Sequence, residues 1–403
     1  MRRGEDSRAG RTMHAPRFDF SRPTPPPEFE ADLEAELVRC GDIKAALVAL
    51  GSSDFLREAR RTFDTSETNR LTIDALDRFL LRYHFADGTS LLEHFLDSCI
   101  GLSESEQEMV RGWADYVEGI FHIVGHAEDH VILLNLIDEL EYRARSNAGT
   151  ALLAQLTDGD FVVSRLVPYK GDWLFSGRMQ LLPAEAEQAL LVEAARAAQK
   201  QPRRRFRNPD ILETAREMQR RDHESFTRHF GSDEVITSGR ELNDTMHGFM
   251  KMRERERRQR LGLPLALPDS LPSMNLPDSL LAADEVGIIY DLEWGLGYYM
   301  YYGQFKRTFA DPNLLANIDN KEVVLGYLES PGIDPLPILR AAAHSPAGAS
   351  QVISELFDLP DFRWQDDGEK FLRALKPAAY ATPRLPYHLP LSEKLARALQ
   401  SQK

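Results

Sequence analysis

Apolar residues recur at three- and four-residue spacing along the first quarter of the chain. Such spacing places apolar side chains on one face of a helix, so residues 28–116 are predicted to form a helical unit. Ser103 and Glu106 have the spacing of a capping box, which predicts a helix start near residue 103. The positions that carry the apolar pattern are Leu33, Leu37, Ala45, Leu47, Leu50, Leu76, Phe79, Leu80 and Tyr83.

Short runs rich in β-branched and aromatic residues replace the helical pattern after Trp113. Turn signals such as Asp158-Gly159-Asp160 separate them, as is typical of strands joined by tight turns. The runs cover residues 120–124, 131–136, 140–145, 161–167 and 173–182. We therefore predict a small five-stranded barrel of the SH3-like or OB-like type over residues 117–183, with a helical insert near 148–155.

Charged helical segments follow the predicted barrel and define a connector over residues 184–262. Residues 263–281 contain four prolines, which predicts a Pro-rich linker. Residues 282–403 begin with a strand over 285–290 and continue with helical patterns, so they are predicted to form a small α+β C-terminal unit. The fold class expected for the whole chain is therefore α+β.

Composition restricts the setting of the protein. Residues 1–27 are rich in Arg and Pro and contain no apolar core, which predicts a disordered leader. No apolar run approaches the roughly 20 residues of a membrane-spanning helix, so no membrane partner is expected. Cys40 and Cys99 are the only cysteines, which favours a reducing, cytoplasmic location. The net charge of −14 disfavours a surface that coats nucleic acid broadly.

Several segments carry a recognisable pattern: Asp87-Gly88-Thr89, the helix start at 102–106, Gly119-Ile120-Phe121, residues 159–166, residues 173–177 and residues 230–235. Together they resemble the barrel region of uncharacterised bacterial proteins that often carry a SEC-C metal-binding tail. The resemblance covers residues 75–240, implies a barrel there, and brings no known activity. The tail needs clustered cysteines, which this chain lacks, so its zinc binding and docking role are not expected here.

Two segments hold metal-ligand residue types in unfavourable patterns. His122, His126 and His130 lie at four-residue intervals, but turn residues and strand flanks would scatter their imidazoles, so we interpret them as part of a solvated hairpin tip. Residues 64–75 partly match a calcium-binding EF-hand loop, but Ala75 replaces the bidentate carboxylate of position 12. A helix–loop–helix turn with Thr72 as the N-cap is the favoured interpretation, and no metal or cofactor is predicted.

Basic residues concentrate at a break between two predicted helices. No acidic residue occurs from 200 to 207, so an Arg-rich loop here could contact the phosphates of RNA or DNA. A second basic run, residues 251–260, alternates with Glu254 and Glu256 and is typical of a solvated helix face with local ion pairs. The candidate nucleic-acid contacts are Lys200, Arg203, Arg204, Arg205 and Arg207.

Aromatic residues concentrate within thirteen positions of the C-terminal unit. If exposed, they would form a protein-docking surface or a stacking platform for bases; the alternative is a hairpin and helix packed on the core. The candidate docking residues are Tyr290, Trp294, Tyr298, Tyr299, Tyr301 and Tyr302.

The common signatures of hydrolases, zinc peptidases and phosphate-binding loops do not occur in the sequence. No catalytic residue is therefore assigned, and the leading hypothesis is a non-enzymatic interaction or adaptor protein whose partner is another protein. One alternative is an RNA- or DNA-associated factor that uses the barrel and the basic break. The second alternative is a hydrolase whose site is assembled from residues scattered along the sequence.

Overall fold

The computed structural model describes residues 16–21, 33–63, 72–264, 275–381 and 383–401. They form two compact units. The first unit contains the described residues up to Pro209 together with the segment that starts at Leu391, and the second runs from Asp210 to Pro390. The boundary falls inside the segment that the sequence presents as one connector.

The first unit combines helices with a barrel, as the α+β prediction requires. Its helices are α1 (Leu33–Ser52), α2 (Arg57–Phe63), α3 (Ile73–Arg82), α4 (Leu91–Asp97), α5 (Glu104–Gly112), α6 (Thr150–Leu153), α7 (Glu187–Lys200) and α8 (Pro202–Arg205), and a C-terminal helix spans Glu393–Gln400. Its strands are β1 (Phe18–Asp19), β2 (Cys99–Ile100), β3 (Val117–His126), β4 (Val131–Asn135), β5 (Glu141–Arg145), β6 (Phe161–Tyr169) and β7 (Asp172–Leu182).

The predicted five-stranded barrel is confirmed. Strands β3 to β7 close in the order β3-β4-β5-β7-β6, and all neighbours are antiparallel except β5 and β7. Alternate side chains point inward, so Phe121, Ile123, Leu133 and Leu166 are fully buried in the interior. Runs of β-branched and aromatic residues separated by turn signals allowed the prediction of these strands.

The N-terminal helices and the outside of the barrel share one hydrophobic core. Leu47, Phe79 and Phe95 pack in the same cluster as Val167 and Leu174 of the barrel. The predicted helix starts are also confirmed. Ser103 Oγ accepts a hydrogen bond from the Glu106 amide at 3.3 Å, and Thr72 Oγ1 caps α3 by accepting one from the Ala75 amide at 3.1 Å.

Part of the leader that the sequence presents as disordered is structured. Residues 16–21 are described, and β1 pairs in parallel with β2, so that Phe18 lies opposite Cys99. The ring centroid of Phe18 lies 5.6 Å from that of Phe95. The prediction is wrong at these residues because it rested on the Arg and Pro content, whereas Phe18 and Phe20 pack against the core. The rest of the leader lies outside the described residues.

The second unit contains a three-stranded antiparallel sheet in the order β10-β9-β8. Its strands are β8 (Glu234–Thr237), β9 (Val286–Asp291) and β10 (Gly295–Met300). Its helices are α9 (Pro209–Phe230), α10 (Gly239–Arg260), α11 (Asp278–Leu281), α12 (Tyr302–Ala310), α13 (Ile318–Glu329), α14 (Leu336–His344), α15 (Pro346–Phe357), α16 (Trp364–Leu375) and α17 (Pro377–Tyr380).

Helices α9 and α10 belong to the core of the second unit. Phe226 and Phe249 pack with Ile288 and Tyr290 of the sheet, so this part of the predicted connector is an integral element. Of the predicted Pro-rich linker, residues 265–274 lie outside the described residues and residues 278–281 form α11. No helix of the described residues is both long enough and apolar enough to span a membrane.

Candidate functional site

Three of the six candidate docking aromatics are core residues. Tyr290 and Tyr302 are fully buried and Tyr299 is 7% exposed. The hydroxyl of Tyr302 donates a hydrogen bond to Glu234 Oε2 at 2.9 Å, which satisfies its polar atom inside the core. The predicted docking surface is therefore wrong for Tyr290 and Tyr302, since burial leaves them no outward face.

Trp294 is half-buried in a cation–aromatic stack. The guanidinium carbon of Arg384 lies 3.1 Å from its ring centroid, and the ring of Tyr380 meets it edge to face at 6.4 Å. Trp294 also packs against the hydrophobic core of the second unit, so it contributes to packing.

The remaining aromatics line a cleft of about 940 Å³ in the second unit. Strand β10, α11, α13 and the loop between α13 and α14 form its walls. Tyr301, which is 41% exposed, stands at the junction of β10 and α12 with a left-handed φ of 58°. The apolar and aromatic side chains of the cleft are Leu276, Leu280, Tyr298, Tyr299, Met300, Tyr301, Val323, Tyr327 and Ile333.

Every ionisable side chain that lines the cleft, tyrosines aside, is a carboxylate. They are Asp319, Glu322 and Asp334, and no Lys, Arg or His of the described residues lies in the lining. Asp319 and Glu322 are exposed, and together with Gly326 they occupy one face of α13 by their three- and four-residue spacing. A Cβ atom added to Gly326 would meet nothing within 4 Å, so the helix leaves open space there.

Asp334 fixes the inner wall of the cleft. Its carboxylate accepts hydrogen bonds from the Tyr299 hydroxyl at 3.0 Å and from the Leu336 amide at 2.9 Å. Burial raises the pKa of Asp334, although both hydrogen bonds oppose the shift. Next to it, Lys376 Nζ donates hydrogen bonds to the carbonyls of Ser330 at 2.7 Å and Ile333 at 2.8 Å. These contacts hold the loop between α13 and α14 in place.

The structure attaches most of the basic break to the barrel. Arg205 is 1% exposed and donates hydrogen bonds to the Ile137 carbonyl at 2.8 Å and to Glu139 Oε1 at 3.2 Å. Arg204 forms an ion pair with Glu118. These contacts are structural, because they join α8 to the loop after β4 and to β3.

The other members of the basic break differ in their surroundings. Arg207 donates a hydrogen bond to Asp115 Oδ2 at 2.6 Å, and its guanidinium lies over the ring of Trp173 at 5.4 Å. Lys200 and Arg203 are exposed. The five candidate contacts are thus not brought together as one open cluster.

The three histidines do not converge. His126 and His130 pair with Asp158 at 2.5 Å and with Asp129 at 2.7 Å respectively, and His122 stacks on Phe161. Across the described parts of the chain, no group of three or more His, Cys, Asp or Glu side chains could hold a metal ion. Residues 64–71 of the EF-hand-like loop lie outside the described residues.

Asp319, Glu322 and Asp334 of the cleft were missed by the sequence reasoning. The spacing of Asp319, Glu322 and Gly326 marks one helix face, and this signal was available in the sequence. Asp334 gave no such signal, because its role depends on Tyr299 from a different element.

Comparison with known proteins gives no match. No family model, no curated protein and no solved structure is similar to this chain. The resemblance of residues 75–240 to SEC-C-associated proteins therefore stays a prediction, and any function must be argued from the geometry of the chain itself.

Proposed function

We propose that this is a non-enzymatic interaction protein whose cleft in the second unit binds an apolar segment of a partner protein that carries a basic side chain. The observation that supports the proposal is the charge of the cleft: three carboxylates and no basic side chain of the described residues surround a tyrosine-rich wall. Tyrosine offers rigid contact area for protein partners, and aromatic faces attract cations.

The size of the cleft suits this role. Pockets that bind small molecules or short segments typically measure about 300–1000 Å³ and combine apolar walls with a few polar groups. The cleft of about 940 Å³ lies at the upper end of that range, with room for several side chains. Exposed carboxylates at the mouth would attract a basic segment and exclude an acidic one.

The hydrolase alternative receives less support from the cleft. Asp334 has a raised pKa, and a perturbed carboxyl group in a cleft is a common catalytic feature. Its oxygens, however, accept hydrogen bonds from Tyr299 and the Leu336 amide. We therefore interpret Asp334 as a group that positions Tyr299.

The nucleic-acid alternative rests on Lys200 and Arg203, the two exposed members of the basic break. A test of it must spare Arg205, because reversing a buried charge would disrupt the barrel. Lys200→Glu combined with Arg203→Glu is the suitable variant, and unchanged salt-sensitive binding of RNA and DNA would count against this alternative. The free thiols of Cys40 and Cys99 support a cytoplasmic location for either function.

The proposal is tested by panning a random peptide library displayed on phage against the full chain. We expect the enriched peptides to combine apolar residues with at least one Arg or Lys. Peptides from the enriched set, labelled with a fluorophore, then give dissociation constants by fluorescence polarisation. The same peptides with the basic residue replaced by Glu should bind at least about tenfold more weakly, since like charges would face each other.

Two variants connect binding to the cleft. Gly326→Leu fills the open space above α13 and should abolish binding, whereas Glu322→Gln should weaken it by about two- to fivefold. Glu329→Gln is the matched control, because Glu329 is exposed on the same helix but does not line the cleft. Failure to enrich peptides, or equal binding to Gly326→Leu and to the unmodified protein, would contradict the proposal.

A further inference from the structure

Four arginines converge on a small pocket elsewhere in the second unit. Helices α9 and α10 and the segment at His388 enclose about 140 Å³. This volume exceeds the ~10–15 Å³ that a single water molecule needs but is smaller than the roughly 300 Å³ typical of drug-sized ligands. The arginines are Arg221, Arg253, Arg257 and Arg260.

Two carboxylates also line the pocket, and both already accept hydrogen bonds or ion pairs. Asp222 Oδ2 lies 2.8 Å from His388 Nε2 and 3.1 Å from Arg253, and it accepts a hydrogen bond from the Tyr387 hydroxyl. Glu256 accepts a hydrogen bond from Ser225 at 2.6 Å and pairs with Arg228. Both acids therefore hold the walls together.

Among the described residues, two of the four arginines pair only with a glutamate of their own helix. Arg221 pairs with Glu217 at 3.2 Å and Arg257 with Glu254 at 3.3 Å, each within one helix and with both arginines more than 40% exposed. Exposed pairs of this kind contribute little to stability, so either guanidinium can turn to a ligand at small cost. Arg260 is exposed at the end of α10.

We infer that this pocket binds the phosphate group of a small phosphorylated molecule. The lining contains four guanidiniums and two carboxylates, and this excess of positive charge favours a phosphate monoester dianion. The planar guanidinium offers paired donors that match phosphate oxygens. Three arginines of the second basic run, residues 251–260, therefore line a pocket.

Isothermal titration calorimetry of the full chain tests the inference, with inorganic phosphate and O-phosphoserine as probes at constant ionic strength. We expect saturable binding of at least one probe and a loss of at least about tenfold in Arg257→Gln/Arg260→Gln. Tighter binding of O-phosphoserine would identify a phosphorylated organic ligand, and equal binding would identify free phosphate.

Arg255→Gln is the matched control, because Arg255 is exposed on the same helix and does not line the pocket. It removes one charge and should leave binding unchanged. No saturable heat up to about 10 mM of either probe, or an equal loss per charge in the control, would overturn the inference. Gly326→Leu should retain phosphate binding, so failure of this inference and failure of the proposed function are distinguishable.

Discussion

Asp77 provides the sharpest test of how the helices are fixed to the barrel. This carboxylate of α3 is 3% exposed and faces Lys44 at 2.7 Å, Arg165 of β6 and the hydroxyl of Ser176 at 3.0 Å. Glu118 provides the second negative charge, 3.4 Å from Arg165. Asp77 is therefore the main counter-ion of both buried cations, since Glu118 also pairs with Arg204.

Asp77→Asn removes one of these anions and leaves a buried positive charge without compensation. Breaking a buried pair in this way costs about 3–5 kcal/mol. With a urea m-value of about 2–3 kcal/mol/M, the unfolding midpoint of the first unit should fall by roughly 1–2.5 M. The double variant Lys44→Met/Asp77→Asn removes one cation together with one anion, so most of this loss should be recovered.

Tryptophan fluorescence can report the first unit alone. Of the four tryptophans, Trp113 and Trp173 lie in the first unit, and Trp294 and Trp364 lie in the second. Urea titration in a Trp294→Phe/Trp364→Phe background therefore follows the unit that contains Asp77. A double variant that is as unstable as the sum of its two single variants would refute the reasoning.

The pKa of Asp77 gives this prediction a pH signature. Burial raises the pKa, but the charges of Lys44 and Arg165 outweigh burial and the net pKa is lowered. A carboxyl group with a lowered folded-state pKa stabilises the protein above its unfolded pKa, near pH 4, and this contribution is lost as the pH falls through the folded-state value. Asp77→Asn should therefore destabilise the protein most at neutral pH and least in acid.

Three further predictions concern Asp138 and two glycines of the second unit. Burial raises the pKa of Asp138 to about 6. Its contribution to the free energy of unfolding is therefore greatest below about pH 4 and is lost as the pH rises through 6. Asp138→Asn should remove this pH-dependent loss, which is on the order of 2–3 kcal/mol, when urea titrations at pH 4 and pH 7 are compared. Gly348→Ala would place a Cβ atom 1.8 Å from the Phe309 carbonyl oxygen and should unfold the second unit. Gly326→Ala should stabilise the second unit by about 0.5–1 kcal/mol. The fluorescence of Trp294 and Trp364 reports both effects. An unchanged midpoint for Gly348→Ala, or a pH profile of Asp138→Asn that matches the unmodified protein, would contradict these expectations.

The barrel was predictable because its strands are short runs rich in β-branched and aromatic residues, and turn signals separate these runs. The four-residue strand β8 was not predicted, because its partner β9 begins about fifty residues later and so short a segment has no period of its own. Ion pairs between residues far apart in the sequence also explain why the basic break was predicted to be free of acidic partners. Arg204 and Arg207 find their acids 86 and 92 positions away, where a local count of charges cannot detect them.

The aromatic cluster illustrates a different limit of sequence reasoning. Tyr298 and Tyr301 line the cleft, while Tyr290 and Tyr302 lie in the core. All four have the same residue type, and the tyrosine hydroxyl tolerates either setting when it finds a partner. The packing of neighbouring helices decides which ring is exposed to solvent. The aromatic composition could therefore indicate the region of the cleft, but not which tyrosines line it.

The C-terminal helix returns to the first unit after the chain has completed the second. Ser401 accepts a hydrogen bond from Gln188 at 2.8 Å, Lys394 pairs with Glu187 at 2.5 Å, and Leu395 and Ala398 are buried. Because a ribosome delivers residues in order and domains generally fold as units, α7 must wait for this helix until the inserted unit has left the exit tunnel. The part of α7 that this helix covers thus stays exposed while nearly two hundred codons are translated, and apolar surface exposed in this way is prone to aggregation.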